Sequence, residues 1–379
     1  MKVFYLIDSI GIGGAEKSLL EIVSNFQNCE PVVCYLFYQD DLKPIYIQRG
    51  IKIIPMGFKR SMKDKDMIPK IIQEIEKEKP DVIHSSLYRS MMLTRKIKKS
   101  IDIPLVNSFV SDGYSKVRYR RLKLVEKLKL KFHQYIDRYS LKDVDLFISN
   151  SNAIAHSNAK ALNVPSNKIK VIHRGRDFNK YSNVDNLLVR KLIEELNLEN
   201  KKVILNVGRL MESKGQIDLL NAYKIVSEKY QDAVLLIAGE GAFMQVLQKH
   251  IEVLNLQGKA LLLGNRKDVE VLLAASNLFV FTSYFEGLPG VILEAMIAQK
   301  IIIASDIPEN KECVDNTSAV FFQVGNATEL SEKIIKVFDN YDSYLPLAQK
   351  AREIASQKFD INMISSSYEI AYKQLLKAK

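Results

Sequence analysis

The chain has 379 residues, which is too long for one compact core and predicts two domains. Its 47% hydrophobic and 26% charged residues are typical of a soluble globular protein, and no apolar run approaches the roughly 18 residues that a membrane span requires. The formal net charge of +11 suggests an acidic partner or surface, and three cysteines without metal-ligand spacing indicate free thiols in a reducing cytoplasm.

Short apolar strands alternate with helical segments in the first half of the chain. The N-terminal apolar stretch ends at Asp8, so it reads as a first buried strand rather than a signal peptide. The predicted strands cover 2–7, 32–37, 51–54, 82–84, 105–109, 146–149 and 169–172, and the predicted helices cover 15–25, 69–78 and 91–98. This alternation predicts a parallel sheet with helices on both faces, over residues 1–172.

The second half repeats the pattern after a polar stretch, 173–186, that reads as a linker. Strands are predicted at 203–207, 234–238, 260–263, 278–281, 301–304 and 319–322, with helices at 216–229 and 291–298. Both halves open with a strand, a glycine loop and a helix, which predicts an α/β chain of two doubly wound, Rossmann-like domains facing a cleft, the second over 187–360. A last helix, 361–379, carries Tyr368, Tyr372 and Leu375.

The positive charge is concentrated between Lys116 and Lys142. Ten Lys and Arg residues stand there against two acidic residues, a net charge of +8, and apolar residues are interleaved with them. The pattern predicts a basic amphipathic helix. Its basic face would be either solvated, on a helix packed against the core, or bound to an anionic membrane surface. Nucleic acid is the least favoured partner, because no nucleic-acid motif accompanies the charge.

The segment Glu286-Gly-Leu-Pro-Gly290 and the following Glu294 suggest a ligand carrying both phosphate and hydroxyl groups. Gly287 and Gly290 would let the backbone approach a ligand closely, and the N-terminus of the helix that follows suits an anion. The two carboxylates suit hydroxyl groups. A sugar nucleotide carries both features. Two solvated glutamates on an ordinary strand–loop–helix unit are the alternative interpretation.

A second glycine loop, after the strand at 203–207, contains Gly208, Arg209 and Lys214. A planar guanidinium and a lysine ammonium together suit a diphosphate, and they would stabilise negative charge that grows on a leaving diphosphate. The loop at Gly11, Gly13 and Gly14 differs, because a dinucleotide fingerprint would need glycine at position 16, where Glu16 stands.

These segments together resemble the retaining glycosyltransferases of family 4, which have the GT-B fold. The resemblance covers nearly the whole chain: the E-x7-E pair, the Gly13-Gly14 loop, the Gly208-Arg-Leu-x-x-x-Lys-Gly215 loop, and the later loops 239–241 and 264–268. It implies that the last helix crosses back to the first domain. It also implies an acceptor-binding first domain and a nucleotide-sugar-binding second domain.

The resemblance assigns roles residue by residue. Glu286, Arg209 and Lys214 would be catalytic, with Glu286 holding the donor sugar and stabilising its oxocarbenium-like state. Glu294 would hold the ribose hydroxyls. The other donor-binding residues implied are Gly13, Gly14, Gly208, Glu240, Arg266, Gly287, Leu288 and Gly290.

The chain departs from the family at one position. Many members have a histidine after the strand at 105–109, whereas this chain has Val110. Candidates for contact with the reacting sugar or the acceptor are Asn107, Ser108, Asp112 and His84. For Asp112 a plain turn is an equal alternative, and His84 is interpreted more readily as a structural histidine.

No metal-ligand constellation stands out. Asp143-Val-Asp145 imitates a D-x-D metal site but opens an apolar strand, so we expect no metal and no other cofactor. The sequence therefore predicts a cytoplasmic enzyme, peripheral on the inner face of the cell membrane, that transfers a sugar from a UDP- or GDP-linked donor to a glycan or lipid-linked acceptor in bacterial surface polysaccharide synthesis. A sugar-nucleotide epimerase of the same architecture and a non-catalytic glycan-binding relative are the alternatives.

Overall fold

The computed structural model describes residues 1–115, 118–119 and 122–378. The chain forms two compact units: Met1–Gly175 together with Ile361–Lys379 (unit 1), and Arg176–Asp360 (unit 2). Of the predicted basic segment, Lys116, Arg120 and Arg121 lie outside the described residues.

Unit 1 is built on a seven-stranded parallel sheet with the order β3-β2-β1-β4-β5-β6-β7. Its strands are nearly continuous apolar runs because helices cover both faces. They are β1 (Lys2–Ile7), β2 (Glu30–Tyr35), β3 (Lys52–Pro55), β4 (Val82–Ser86), β5 (Leu105–Phe109), β6 (Leu146–Ser149) and β7 (Ile169–Val171). The helices are α1 (Gly14–Ser24), α2 (Lys43–Gln48), α3 (Asp64–Glu78), α4 (Tyr88–Ile97), α5 (Leu124–Ser140) and α6 (Asn152–Leu162).

Unit 2 has a six-stranded parallel sheet with the order β10-β9-β8-β11-β12-β13. Its strands are β8 (Lys202–Val207), β9 (Ala233–Ala238), β10 (Ala260–Leu262), β11 (Leu278–Phe281), β12 (Ile301–Ser305) and β13 (Val320–Phe322). Its helices are α7 (Phe178–Ser182), α8 (Asn186–Glu195), α9 (Gln216–Lys229), α10 (Met244–Val253), α11 (Val269–Ala275), α12 (Gly290–Ile297), α13 (Pro308–Cys313), α14 (Ala327–Asp339) and α15 (Tyr341–Lys358). The predicted fold class, two doubly wound α/β units, is confirmed.

The structure differs from the predicted linker at 173–186. Residues from Arg176 onward belong to unit 2, where α7 is helical and Tyr181 is buried in the hydrophobic core. The stretch looked polar because apolar Phe178 and Tyr181 are spaced among charged residues, as on one face of a short helix.

The C-terminal helix, α16 (Ile361–Lys377), packs in unit 1, as predicted. Tyr368 and Tyr372 are buried in the unit 1 core, and Leu375 packs against it.

Each sheet contains one topological switch, a point where neighbouring strands continue in opposite directions across the sheet. In unit 1 it lies between β1 and β4, and in unit 2 between β8 and β11. Ligands of doubly wound sheets bind beyond the carboxyl ends of the strands at this point. The loops after β1, β8 and β11 are the glycine loops that the sequence singled out.

Candidate functional site

The loops after β8 and β11 are joined to each other in unit 2. The Thr282 hydroxyl donates to the Lys214 carbonyl at 2.8 Å, and the Tyr284 amide donates to the Ser213 carbonyl at 2.9 Å. Gly215 has a φ of +65°, and a β-carbon there would lie 2.3 Å from the Thr282 carbonyl oxygen. Only glycine fits this approach. The junction places Lys214 beside the loop that carries Glu286.

Lys214 and Glu286, predicted as catalytic residues, form an ion pair through the Lys214 ammonium and Glu286 Oε1. The Lys214 nitrogen also lies 5.9 Å from the centroid of the Phe281 ring. The two side chains keep 20% and 13% of their surface exposed, so the pair is accessible at the sheet edge. An incoming diphosphate can therefore compete with Glu286 for the ammonium.

Arg209 leaves the same loop with an exposed side chain. Its carbonyl accepts a hydrogen bond from Gln216 Nε2 at 3.2 Å, and the next residue, Leu210, donates its amide to the Glu240 carbonyl at 2.8 Å. A β-carbon on Gly239 would lie 1.9 Å from the Gly208 carbonyl oxygen. The loops after β8 and β9 are thus packed backbone to backbone, which fixes Gly208 and the stem of Arg209, while the Glu240 side chain is exposed.

Glu294 is buried on α12, with 8% of its surface exposed, and Arg176 Nε donates to its Oε1 at 2.8 Å. A β-carbon on Gly290 would lie 1.9 Å from Arg176 Nη2. Gly290 therefore makes room for a guanidinium, which differs from the close approach to a ligand that the sequence suggested. Leu288 is buried in the core, so it can offer a ligand only its backbone, and Gly287 is half-buried beside it.

Arg266 lies in the loop after β10. Its guanidinium pairs with both carboxylate oxygens of Asp268, at 2.8 and 2.6 Å, and contacts Glu195 at 3.3 Å. The hydrogen bonds to Asp268 raise the pKa of Arg266, and the same bonds lower the pKa of the Asp268 carboxyl. A ligand that binds Arg266 would have to compete with the carboxylates of Asp268 and Glu195 for its guanidinium.

In unit 1, a cavity of about 30 Å³ lies between α1 and the ends of β1, β4, β5 and β6. Its lining includes polar side chains that the sequence did not single out: Ser18, Ser86, Asn150 and Arg174. Val110 lines it too, at the position where the histidine is missing. Gly13 and Gly14 begin α1 at this edge, and a β-carbon on Gly14 would lie 3.3 Å from Arg174 Nη1.

His84 is buried within a hydrogen-bonded chain. Its Nδ1 lies 2.6 Å from the Tyr372 hydroxyl and its Nε2 lies 2.7 Å from Ser108 Oγ. Tyr372 in turn contacts the Tyr5 hydroxyl at 2.6 Å. Burial lowers the pKa of His84 to about 3, so the ring is neutral near pH 7. It binds α16 to the sheet of unit 1 and is unsuited to proton transfer at neutral pH.

The structure separates the other unit 1 candidates. Asn107 points to the opposite face from its neighbour Ser108, accepting from Arg95 Nε at 2.7 Å and donating to Ser85 Oγ at 2.8 Å. Asp112 accepts from Ser157 Oγ at 2.6 Å and from the Tyr114 amide at 3.3 Å. Ser108 and His84 line the cavity, whereas Asn107 and Asp112 do not.

Within the described ranges, no three His, Cys, Asp or Glu side chains gather as metal ligands. Asp145, of the D-x-D imitation, accepts the Leu105 amide at 2.7 Å and pairs with Lys98 at 3.2 Å. Asp143 ends a short 3₁₀ turn. Both aspartates act in the local structure at the start of β6.

Helix α5 has an unusual orientation for an amphipathic helix. Its buried residues are Leu130 and Asp137, and Asp137 pairs with the buried Arg95 and accepts from the Tyr114 hydroxyl at 2.8 Å. The opposite face is an apolar stripe whose members are each between 60% and 73% exposed: Leu124, Val125, Leu128, Phe132, Tyr135 and Tyr139. The helix therefore contacts the rest of unit 1 through Leu130 and the Asp137 ion pair and turns its other large apolar side chains outward. This differs from the alternative in which its apolar face packs against the core.

In the part of the chain that the structure describes, no helix is both long and apolar enough to cross a membrane. The outward stripe of α5 is flanked by exposed Lys129, Lys131 and Arg138. An apolar stripe bordered by cations is typical of helices that lie in a membrane interface.

Two family models match the chain. The one described as Glycosyltransferase Family 4 matches residues 12–180, and the one described as Glycosyl transferases group 1 matches residues 189–355. An uncharacterized glycosyltransferase of Methanocaldococcus jannaschii is 35% identical over 45% of this chain, which spans 41% of that protein's length.

Two further relatives match over almost their whole length. The N,N'-diacetylbacillosaminyl-diphospho-undecaprenol alpha-1,3-N-acetylgalactosaminyltransferase of Campylobacter jejuni is 26% identical, covering 94% of this chain and 95% of that protein. The crystal structure of Anabaena HepE in complex with UDP and glucose superposes with a TM-score of 0.87 at 23% identity, covering 99% of this chain and 100% of that one. At this identity the structural match supports the fold alone.

Proposed function

The chain belongs to glycosyltransferase family 4, and from that premise we propose that it is a retaining enzyme. It moves a sugar from a UDP- or GDP-linked donor to a glycan or lipid-linked acceptor in bacterial surface polysaccharide synthesis. The observation that carries the proposal is the accessible Lys214–Glu286 pair, held between two loops at the switch point of unit 2.

The cationic side chains stabilise the leaving group. As the bond between the anomeric carbon and the phosphate oxygen breaks, negative charge grows on the leaving diphosphate. Lys214 exchanges Glu286 for this phosphate, and exposed Arg209 adds a planar donor pair. These two residues supply the positive charge that a metal supplies in other glycosyltransferases, so the reaction proceeds without a divalent ion.

The two glutamates act on different parts of the donor. Glu286, released from Lys214, lies beside the sugar and stabilises the positive charge that develops at the anomeric carbon. Glu294 is buried and held by Arg176, so it accepts hydrogen bonds from the ribose hydroxyls without changing position. The leaving phosphate takes the proton of the acceptor hydroxyl, which attacks the same face of the sugar. This route needs no separate base, which agrees with a buried His84 whose two ring nitrogens are engaged by Tyr372 and Ser108.

The acceptor is proposed from two observations. The C. jejuni relative's name specifies a diphospho-undecaprenol acceptor, a lipid-linked glycan. In addition, the α5 stripe and its cationic flanks suit an anionic membrane, where such a lipid resides. Unit 1 would then bind the acceptor while α5 rests on the inner face of the cell membrane. The thiols of Cys29, Cys34 and Cys313 are compatible with the cytoplasm.

The test is to incubate the protein with a panel of UDP- and GDP-sugars and to measure release of nucleoside diphosphate. We expect slow hydrolysis of one donor without acceptor, faster release with a membrane extract, and an unchanged rate in excess EDTA. Release from no donor would contradict transferase activity. Loss of the rate in EDTA with recovery by manganese would contradict the proposed roles of Arg209 and Lys214.

A further inference from the structure

Arg176 lies where the chain enters unit 2, beside the point where the chain leaves it. Its amide donates to the Phe359 carbonyl at 2.9 Å, and its backbone forms an isolated parallel bridge with Asp360. Unit 2 begins at Arg176 and ends at Asp360, so its first and last residues are held together. The backbone position of Arg176 is therefore fixed by the fold.

The Arg176 side chain extends from this point to α12. Only 4% of the residue is exposed, its Nε donates to Glu294 Oε1 at 2.8 Å, and its Nη2 fills the space left by the missing side chain of Gly290. The contact with Glu294 spans 118 positions of the sequence. One oxygen of Glu294 is thus held by a buried guanidinium.

We propose that Arg176 is a positioning residue for the nucleotide. By holding Oε1 of Glu294, it fixes the carboxylate plane and directs Oε2 toward the ribose diol of a nucleoside diphosphate. The inference rests on the proposed function, because it assumes that Glu294 binds ribose. The Arg176 side chain is more buried than that of Glu294, with 5% of its surface exposed against 11%, so we assign Arg176 a role through Glu294.

A purely structural role explains the pair poorly. Replacing a buried ion pair by apolar side chains of similar volume is often neutral or stabilising, so such a pair is weak evidence of stabilisation. Here the pair also requires glycine at the first turn of α12, at position 290. A fixed carboxylate beside a ligand accounts for both features, because preorganised hydrogen-bond partners lose less entropy when the ligand binds.

The test is a double-mutant cycle read out by UDP affinity, measured by calorimetry on the full chain. The four proteins are wild type, Arg176→Met, Glu294→Gln and the double variant. If Arg176 acts through Glu294, Arg176→Met weakens UDP binding about tenfold, and the double variant binds no more weakly than Glu294→Gln alone. Wild-type affinity in Arg176→Met, or two effects that multiply in the double variant, would overturn the proposal.

Lys300→Met is the matched control. Lys300 is a half-buried cation of unit 2, donating to the Ala274 and Ser276 carbonyls at 3.2 and 3.0 Å, and it precedes β12 at the amino edge of the sheet. Its burial lowers its pKa to about 8. Its removal should reduce stability without changing UDP affinity. An equal loss of UDP affinity in Lys300→Met would attribute the Arg176 effect to general destabilisation and overturn the proposal.

Arg176→Lys keeps the charge but not the planar fork, and it provides the cycle if Arg176→Met does not fold. We expect it to raise the donor KM severalfold with kcat nearly unchanged, because ribose binding is the step affected. A fall in kcat at constant KM would contradict the positioning role. If wild type binds neither UDP nor GDP, the proposed function itself fails, and the inference fails with it.

Discussion

The topological switch points of the two sheets carry different kinds of side chain. At the unit 2 switch, opposite charges meet at an accessible edge, with Lys214 paired to Glu286 and Arg209 exposed. At the unit 1 switch, the central group is a buried, neutral His84 whose ring nitrogens are both engaged. Unit 1 instead carries exposed charge on α5. Under the proposed function, charge serves the reaction in unit 2 and attachment to a membrane in unit 1.

The largest expected effect tests the charged side chains at the switch point of unit 2. Lys214→Ala and Arg209→Ala should each lower turnover by roughly 10²–10³, or about 3–4 kcal/mol of transition-state stabilisation. Steady-state release of nucleoside diphosphate measures it. Lys224→Ala is the control, because Lys224 pairs with Glu228 on α9 and the variant should leave turnover unchanged. Turnover within twofold of wild type for both site variants would show that these charges at the unit 2 switch point do not serve the reaction.

The proposed membrane-binding face of α5 is tested by removing its positive charges. Changing Lys129, Lys131 and Arg138 to Ser should weaken binding to anionic vesicles at low salt, by about 1 kcal/mol for each charge near the surface. The effect should shrink at 1 M salt, where the Debye length falls to about 3 Å. Donor hydrolysis in solution should be retained.

Co-sedimentation with anionic and neutral vesicles measures this, with exposed Lys201, Lys249 and Lys350 changed to Ser as the charge-matched control. Leu128→Ser with Phe132→Ser separates apolar insertion from charge. Binding of wild type to neither lipid would mean that α5 is a solvated helix, and equal binding to both would contradict a role for its charge.

The two glutamates sharpen the comparison within unit 2. Glu294→Gln should weaken nucleotide affinity by about 1.5–3 kcal/mol, because a charged hydrogen-bond acceptor is lost. Glu286→Gln should mainly reduce turnover, with UDP still bound. Calorimetry and kinetics on both variants measure the two effects. The reverse pattern would exchange the roles of the two carboxylates.

The buried, neutral His84 of unit 1 predicts that the stability of the protein depends on pH. His84 has a pKa of about 3 in the folded chain against about 6.5 when unfolded, so the unfolded state takes up the proton first as pH falls. Its contribution is complete above pH 6.5 and is lost between about pH 6.5 and 3. From pH 6.5 to 4.5, wild type should lose about 2 kcal/mol more than His84→Gln, measured by urea unfolding. Parallel curves for the two proteins would show that His84 titrates normally.

Much of the fold follows from the sequence, because strands covered on both faces are continuous apolar runs and the loops after them carry glycines. The proximity of Lys214 and Glu286 also follows from the predicted sheet, because their loops come after β8 and β11, which are adjacent strands. Arg176 was missed because its partner is 118 positions away and only tertiary packing brings them together. On α5 the pattern predicted an amphipathic helix, but periodicity cannot tell which face turns outward. That depends on Arg95 and Asp137, from separate helices.

The central claim is that Lys214, Arg209 and Glu286, at the switch point of unit 2, catalyse glycosyl transfer with retention. It is tested most directly by following donor hydrolysis by proton NMR from an α-linked UDP- or GDP-sugar, before the released sugar mutarotates. The account predicts that the first sugar released is the α-anomer in wild type and that release is nearly abolished in Lys214→Ala. Release of the β-anomer, or equal rates in the two proteins, would contradict it.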